Sequence, residues 1–216
     1  MKKKIAIIGS GIGGLTAANL LIKNSSFEVM IYEKESMLSL EEGYGIQLAV
    51  NSISILNKIG FGNISNNHIF NPLKLNFYSN NNKICDLDLG RFNNDLIKYT
   101  TLRRSTLIEF LKDKLFTNNF RFGKEVKKVS KVKDKLLINF LDNTNDLVDF
   151  IIVSDGVFSN TKSMIENKIN KVRYNGSIAI RSVIKLHEDF NYESNNISLI
   201  MLPNAHVVIY PINKKN

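Results

Sequence analysis

At 216 residues, with 44% hydrophobic side chains and no tryptophan, the chain can bury a substantial core. Its 29 Lys and Arg against 20 Asp and Glu give a formal charge of +9, but the basic residues are spread along the chain and build no recognised nucleic-acid module, so no nucleic-acid partner is expected. No apolar run approaches the ~20 residues that span a bilayer, Met1-Lys2-Lys3-Lys4 precedes too short a run for a signal peptide, and the lone Cys85 excludes an internal disulfide, so a cytoplasmic chain is expected.

The first element is a short apolar strand, Ile5 to Ile8, running into Gly9-Ser10-Gly11-Ile12-Gly13-Gly14-Leu15. A helix follows with Ala18 and Leu21 on its inner face, then a second strand, Phe27 to Tyr32, ended by Glu33. Strand, glycine turn, helix, strand and acid together form a unit for binding a dinucleotide. Gly9 lets the chain turn sharply, Gly11 leaves room for a pyrophosphate, and Gly14 lets the helix pack closely on the sheet. Backbone amides at the helix start, around Ile12 and Gly13, point toward the phosphates, and the helix dipole adds positive potential there. Glu33 can accept hydrogen bonds from the adenosine ribose, and its charge repels a 2′-phosphate. The ligand read from this unit is FAD or NAD rather than NADP.

Beyond Glu33, Gly43-Tyr44-Gly45-Ile46-Gln47-Leu48 reads as a glycine-bearing loop. Asn51 is placed to N-cap a short helix carrying Ile53, Leu56 and Ile59, and Gly60 to stop it. Residues 73–78 and 84–89 alternate as two strands around Asn80-Asn81-Asn82. Leu107, Ile108, Leu111 and Leu115 mark one face of a helix from Arg104 to Phe116. Two strands between Glu125 and Phe140 meet at Asp134-Lys135. Leu147 to Val153, nearly continuous in apolar residues, fits a central parallel strand. It empties into Ser154-Asp155-Gly156-Val157-Phe158-Ser159, a second strand-to-helix turn bearing a carboxylate. Residues 176–186 and 206–210 read as antiparallel strands. Cys85 is expected as a buried or half-buried strand residue. His68, His187, His206 and Cys85 have no metal-ligand spacing, so no metal site is expected.

These motifs resemble those of the FAD-dependent aromatic monooxygenases, the salicylate hydroxylase-like and ubiquinone-biosynthesis hydroxylase-like enzymes, over essentially the whole chain. The glycine unit with Leu15, Ala18 and Leu21 is similar to the family's FAD-binding motif. Gly43 to Leu56 resembles its glycine-isoleucine loop, with Val50 where proline is common. Arg104-Ser105-Thr106-Leu107 is similar to its arginine-x-x-leucine motif. Asp155 to Lys162 resembles its aspartate-glycine motif, with Lys162 in place of arginine, and Tyr174-Asn175-Gly176 through Arg181 resembles the strand opening its substrate domain.

The resemblance implies an α/β fold: a Rossmann-like FAD-binding domain with parallel sheet and β-meander (1–70 and 100–170), plus part of an antiparallel substrate-domain sheet (71–99 and 171–216). It implies that Gly9, Gly11, Ile12, Gly13 and Gly14 cradle the FAD pyrophosphate and that Glu33 holds the ribose. By the same resemblance Arg104 contacts the cofactor near its pyrophosphate, and Gly45 lines the flavin approach. Val126 presents its backbone to adenine, and Asp155 serves both FAD and the transient donor NAD(P)H. Read from the residues alone, Arg104 also fits a surface helix start, Val126 a core valine and Asp155 a helix N-cap. The implied reaction uses NAD(P)H and O2 to hydroxylate a small aromatic substrate through a flavin hydroperoxide. The flavin carries that chemistry, so no side chain is assigned as catalytic.

The family's second cofactor motif, glycine-aspartate with an alanine-histidine-proline-type stretch, has no counterpart after Pro211. The expectation is therefore the N-terminal portion of a monooxygenase. A non-catalytic dinucleotide-binding fragment, or another flavin-dependent oxidoreductase, remains the alternative. Oligomeric state, the aromatic substrate and the choice of NADH or NADPH are not legible in the sequence.

Overall fold

The structure is a computed structural model that describes residues 2–38, 44–79, 82–167, 172–185 and 193–213; Gly43 and the turn residues Asn80 and Asn81 lie outside them. The first elements are β1 (Lys3–Ile8), α1 (Ile12–Leu21), β2 (Phe27–Tyr32), β3 (Gly45–Leu48), α2 (Val50–Asn57), β4 (Ile69–Phe70), β5 (Lys74–Ser79) and β6 (Asn82–Asp88). They are followed by β7 (Thr100–Arg103), α3 (Arg104–Asp113), β8 (Phe120–Arg121), β9 (Val126–Val132), β10 (Lys135–Phe140) and β11 (Asn145–Val148). The last are β12 (Phe150–Val153), α4 (Asn160–Glu166), β13 (Ile197–Met201) and β14 (His206–Ile209). Backbone contacts group these into two units, Met1–Leu40 with Ile108–Ala179 and Glu41–Leu107 with Ile180–Asn216.

The first unit holds a parallel sheet in the order β12-β1-β2-β8 and an antiparallel meander, β11-β10-β9. Alternation along β1 divides its side chains between two faces. Ala6 and Ile8 join Met30 and Tyr32 against Val126, Ile138, Phe140 and Val148 of the meander. The Tyr32 and Phe140 rings stack there with centroids 4.9 Å apart. Ile7 faces α1 instead, its Cγ2 close beside Gly14. Burial on both faces is what the continuous apolar run of β1 requires. Leu15 and Ala18 of α1 are fully buried, and each such leucine contributes about 1.5–3 kcal/mol by leaving water. Asn19, also buried, donates from Nδ2 to the carbonyls of Leu15 and Leu111, both at 2.8 Å.

The strand expected from Leu147 to Val153 divides at Asp149. Its carboxylate accepts from the Lys4 backbone N–H at 2.8 Å and from Lys3 Nζ at 3.2 Å. That contact ends β11, which belongs to the meander, and begins β12, which pairs in parallel with β1. Among the described residues β12 is the sheet's outer strand rather than a central one.

The second unit contains a sheet in the order β14-β13-β5-β6 and a smaller one, β3-β7-β4. The expected loop at Gly45 is strand β3, because β7 supplies an antiparallel partner from Thr100 to Arg103. α2 begins one residue before Asn51 and is preceded by Ala49, while the Asn51 side chain accepts from Ser52 N–H instead. Cys85 is on a strand as expected but is exposed, because β6 is an edge strand exposed along its length. α3 ends at Asp113 rather than Phe116. Residues 176–185 form no strand, and Ile178 and Ile180 are 79% and 89% exposed. No described strand lies alongside to accept their hydrogen bonds, and an extended segment without a neighbour makes no ladder.

Candidate functional site

The glycine turn is built at the carboxyl end of β1, where β2 leaves on one side and β12 on the other, the topological switch point at which open α/β sheets hold ligands. Gly9 donates its N–H to the Tyr32 carbonyl at 2.8 Å and takes φ +99°, a left-handed conformation that favours glycine. A Cβ on it would also lie 2.5 Å from the Ser154 carbonyl oxygen. At Gly14 a Cβ would come within 2.0 Å of the Gly9 carbonyl oxygen. Folding alone therefore accounts for both residues.

Gly11 is different. Its φ of −70° suits any residue, and a Cβ there would meet nothing within 4 Å. It lines an open cleft and is the N-cap of α1, with no side-chain cap and no acid in the helix's first turn. Helix-start amides left without protein acceptors beside an empty approach are suited to an anion. Ile12 and Gly13 supply the first of those helical residues.

The cleft has a volume of about 420 Å³, within the ~300–1,000 Å³ typical of small-molecule sites. Gly9, Gly11, Glu33, Val126 and Asp155 all line it. Glu33 follows β2, and its Oε2 accepts from the N–H of Ser10 at 2.9 Å and from the Ser10 hydroxyl at 2.6 Å. Its Oε1 accepts from the Glu35 N–H at 3.0 Å. Burial pushes the Glu33 carboxyl up, but the Ser10 hydroxyl and the backbone amides of Glu35, Ser10 and Lys34 outweigh it and hold it below the ordinary carboxylate range. An ionised acceptor thus stands at the wall of the cleft.

Asp155 faces the cleft from the turn after β12. Its Oδ1 is buried without a hydrogen-bond partner among the described residues. A buried acceptor in this state favours a ligand bringing a donor. Asp155 does not cap α4; Ser159 does, accepting from the Lys162 N–H at 3.1 Å. Val126 combines both of its sequence readings, since its side chain is 7% exposed in the core while the residue lines the cleft. Tyr32, also in the lining, donates its hydroxyl to Asp146, which accepts from Lys4 Nζ at 2.6 Å. Burial, then Asp146, raises the Tyr32 hydroxyl above its usual range.

Sequence reasoning assigned no role to Ser10, Tyr32 or Lys124. The last lines the cleft while its Nζ pairs with Asp142. For Ser10 a signal existed, a hydroxyl between two glycines ahead of the strand that ends in the acid. Gly45 and Arg104 belong to the second unit. There Arg104 N–H donates to the Tyr44 carbonyl at 2.9 Å, and Gly45 pairs with Arg103 across β3 and β7. A Cβ on Gly45 would lie 2.8 Å from Tyr210 Cε2 and from Ile212 Cγ2, so a larger residue there would have to displace those side chains. The Arg181 guanidinium lies over the Tyr44 ring at 4.6 Å.

Comparison with known proteins places this geometry among relatives. Residues 7–41, the glycine unit through Glu33, match the NAD(P)-binding Rossmann-like domain family. The chain is 27% identical over 192 residues to a 6-hydroxynicotinate 3-monooxygenase of Pseudomonas fluorescens, covering 86% of this chain and 48% of that protein. It is 24% identical over 219 residues to the 3-amino-4-hydroxybenzoate 2-monooxygenase PtmB3 of Streptomyces platensis, covering 98% and 54%. Among solved structures, Klebsiella pneumoniae HpxO complexed with FAD and uric acid superposes with a TM-score of 0.81 at 20% identity, over 97% of this chain and 53% of that one. The 2,6-dihydroxypyridine-3-hydroxylase of Arthrobacter nicotinovorans gives 0.76 at 17% identity, over 100% and 53%. These structures bear out the α/β fold with its Rossmann-like parallel sheet, and the named relatives bear out the resemblance carried by the motifs. The chain spans about half the length of the relatives it matches.

Proposed function

We propose, on this kinship, that the chain is part of an FAD-dependent aromatic monooxygenase and that its cleft takes the adenosine and pyrophosphate of the cofactor. The observation that carries the reading is Gly11: neither its backbone angles nor its packing calls for glycine, whereas a ligand passing over that atom does. The remaining residues fit the group. Ile12, Gly13 and Gly14 present helix-start amides toward the phosphates, and the Glu33 carboxylate accepts from the ribose hydroxyls. Asp155 Oδ1 accepts a donor from the cofactor, and Val126 presents backbone to the adenine. Gly45 and Arg104 are carried into the proposal as cofactor-binding residues on the resemblance of their motifs alone. When bound, FAD would supply the redox chemistry of a hydroxylation that consumes NAD(P)H and O2, one oxygen atom entering the aromatic substrate and the other leaving as water. The chain's own part is to bind, orient and exclude water.

Segments 1–70 and 100–170 are the cofactor part of this proposal, and 71–99 and 171–216 the substrate part. A small aromatic or heteroaromatic substrate is supported by the names of the relatives. No helix among the described residues is long and apolar enough to cross a membrane; a cytoplasmic setting is part of the proposal.

The test is to purify the 216-residue chain and measure bound flavin by its visible absorbance. Oxygen-dependent oxidation of NADH and NADPH is then followed with and without hydroxylated pyridine- or benzoate-type compounds. Weak flavin binding without coupled hydroxylation is the expected result. A folded chain that binds neither FAD nor ADP refutes the cofactor reading, and bound flavin without substrate-stimulated oxidation limits the function to dinucleotide binding.

A further inference from the structure

We propose that Ser10 is a positioning residue for the adenosine end of the site, fixing the Glu33 carboxylate in the orientation that receives the ribose. The inference rests on the reading of the cleft as an FAD site. Ser10 is 5% exposed and stands between two glycines whose roles lie elsewhere. Both of its donors go to one atom, Oε2 of Glu33, the N–H at 2.9 Å and the hydroxyl at 2.6 Å. With the Glu35 N–H on Oε1 at 3.0 Å and the Lys34 amide also acting on the carboxylate, these donors hold a side chain that would otherwise rotate about three torsions. The rotamer entropy of Glu33 is therefore lost on folding, before a ligand arrives, which is the form preorganisation takes here.

The arrangement also divides labour within the glycine turn. Because the Ser10 N–H is committed to Glu33, the phosphate cradle begins further along, at the amides of α1. Oε2 is filled by the serine, so the acceptor capacity left for a ribose hydroxyl is on Oε1, alongside the Glu35 N–H. Ser10 thereby ties the turn after β1 to the end of β2, and the two halves of the adenosine-diphosphate site keep one spacing.

Other charged groups surround Glu33. Lys34 and Glu35 follow it in the chain and pair with each other at 3.7 Å. Tyr32, Lys124, Glu125 and Asp155 line the same cleft. The Lys124 Nζ is held by Asp142, and Arg121 reaches Glu33 through its backbone carbonyl. Of these groups and Ser10, only Ser10 donates a side-chain hydrogen bond to the Glu33 carboxylate. That bond opposes the upward push of burial, so its removal raises the pH at which Glu33 takes a proton.

The experiment is a set of flavin-fluorescence titrations with FAD between pH 4.5 and 8, repeated with ADP by calorimetry. The proteins are the native chain, Ser10→Ala, Ser10→Thr, Glu33→Gln and the Ser10→Ala/Glu33→Gln double variant. Ser10→Ala is expected to weaken binding about tenfold at neutral pH, the scale of one hydrogen bond to a charged group. It should also move the acidic limb of the binding curve to higher pH. Ser10→Thr, which keeps the hydroxyl, restores both. In the Glu33→Gln background the limb is gone and adding Ser10→Ala changes nothing, the non-additivity expected of residues acting through one another. Should Ser10→Ala lose its circular-dichroism signature, Ser10→Gly gives the same readout. The proposal is overturned if loss of the hydroxyl weakens binding equally in the Glu33→Gln background, or leaves the acidic limb in place. If Glu33→Gln alone binds FAD and ADP like the native chain, the adenosine reading of the cleft fails, and the result is distinguishable because Ser10 is untouched.

Discussion

Gly11→Ala separates a residue kept for a ligand from one kept for the fold. The new methyl group enters open space, with no atom within 4 Å, at a φ of −70° that alanine adopts freely. Two small effects on stability then oppose each other. Alanine is the poorer N-cap by about 0.5–1 kcal/mol. Against this, it restricts the unfolded chain and recovers about 0.4–1 kcal/mol. The net change should stay within about 0.5 kcal/mol, or ~1–2 °C in Tm for a chain of this size. Dinucleotide binding should suffer far more, because the methyl holds a pyrophosphate off the helix-start amides. Losing one or two charge-assisted hydrogen bonds weakens affinity roughly 10- to 100-fold. Gly14→Ala is the counterpart, since its Cβ would sit 2.0 Å from the Gly9 carbonyl oxygen and 3.3 Å from Ile7 Cγ2. Overpacking on that scale costs about 3 kcal/mol, lowering Tm by roughly 6–12 °C. Thermal unfolding by circular dichroism and FAD titration read the two effects separately. The reasoning is refuted if Gly11→Ala binds FAD at native affinity, or unfolds as early as Gly14→Ala.

Other substitutions probe the acid, the core and the surface charges. Glu33→Gln should weaken FAD and ADP binding about tenfold while leaving the fold intact, as judged by circular dichroism. Leu111→Ala removes a fully buried side chain and should cost about 2–5 kcal/mol, read as a lower urea midpoint at unchanged slope. Asn19→Leu strips two buried carbonyls of their donor and should cost about 1–3 kcal/mol in the same assay; a neutral result would show that Leu15 and Leu111 find other partners. The Lys124 ammonium beside Asp142 holds that carboxyl at about 2. A depressed folded-state value means its contribution is present above the ordinary carboxylate range and is lost as pH falls toward 2. Lys124→Met should therefore flatten the decline in urea midpoint between pH 4 and pH 2. An unchanged slope would show that the pair contributes nothing to acid stability.

Much of the first unit is legible in the sequence because its signals are local. The run Ile5 to Ile8, the spaced glycines, the helix behind them and Glu33 specify strand, turn and helix within a few residues of one another, and they fold as read. The hairpins survive for the same reason, with Lys133 in the turn between β9 and β10 at a φ of 54°. What failed depended on distant partners. Gly45 to Leu48 is a strand only because Thr100 to Arg103 lies beside it. Residues 147–153 divide because Asp149 meets Lys3 and Lys4, and Cys85 is exposed because β6 has no outer neighbour among the described residues.

The candidate site divides along the same line. Residue identities pointed to the ligand class: glycines that admit phosphate, amides at a helix start, and an acid at the end of the neighbouring strand. Only the tertiary structure decided which glycine neither packing nor a left-handed φ requires, that Asp155 presents an acceptor without a partner among the described residues to the same cleft, and that Ser10 clamps Glu33. Each of these depends on distances between segments 23 to more than 100 residues apart, closed by β1 pairing with both β2 and β12. Local pattern reports which groups can hydrogen-bond; packing settles which of them folding has left for a ligand.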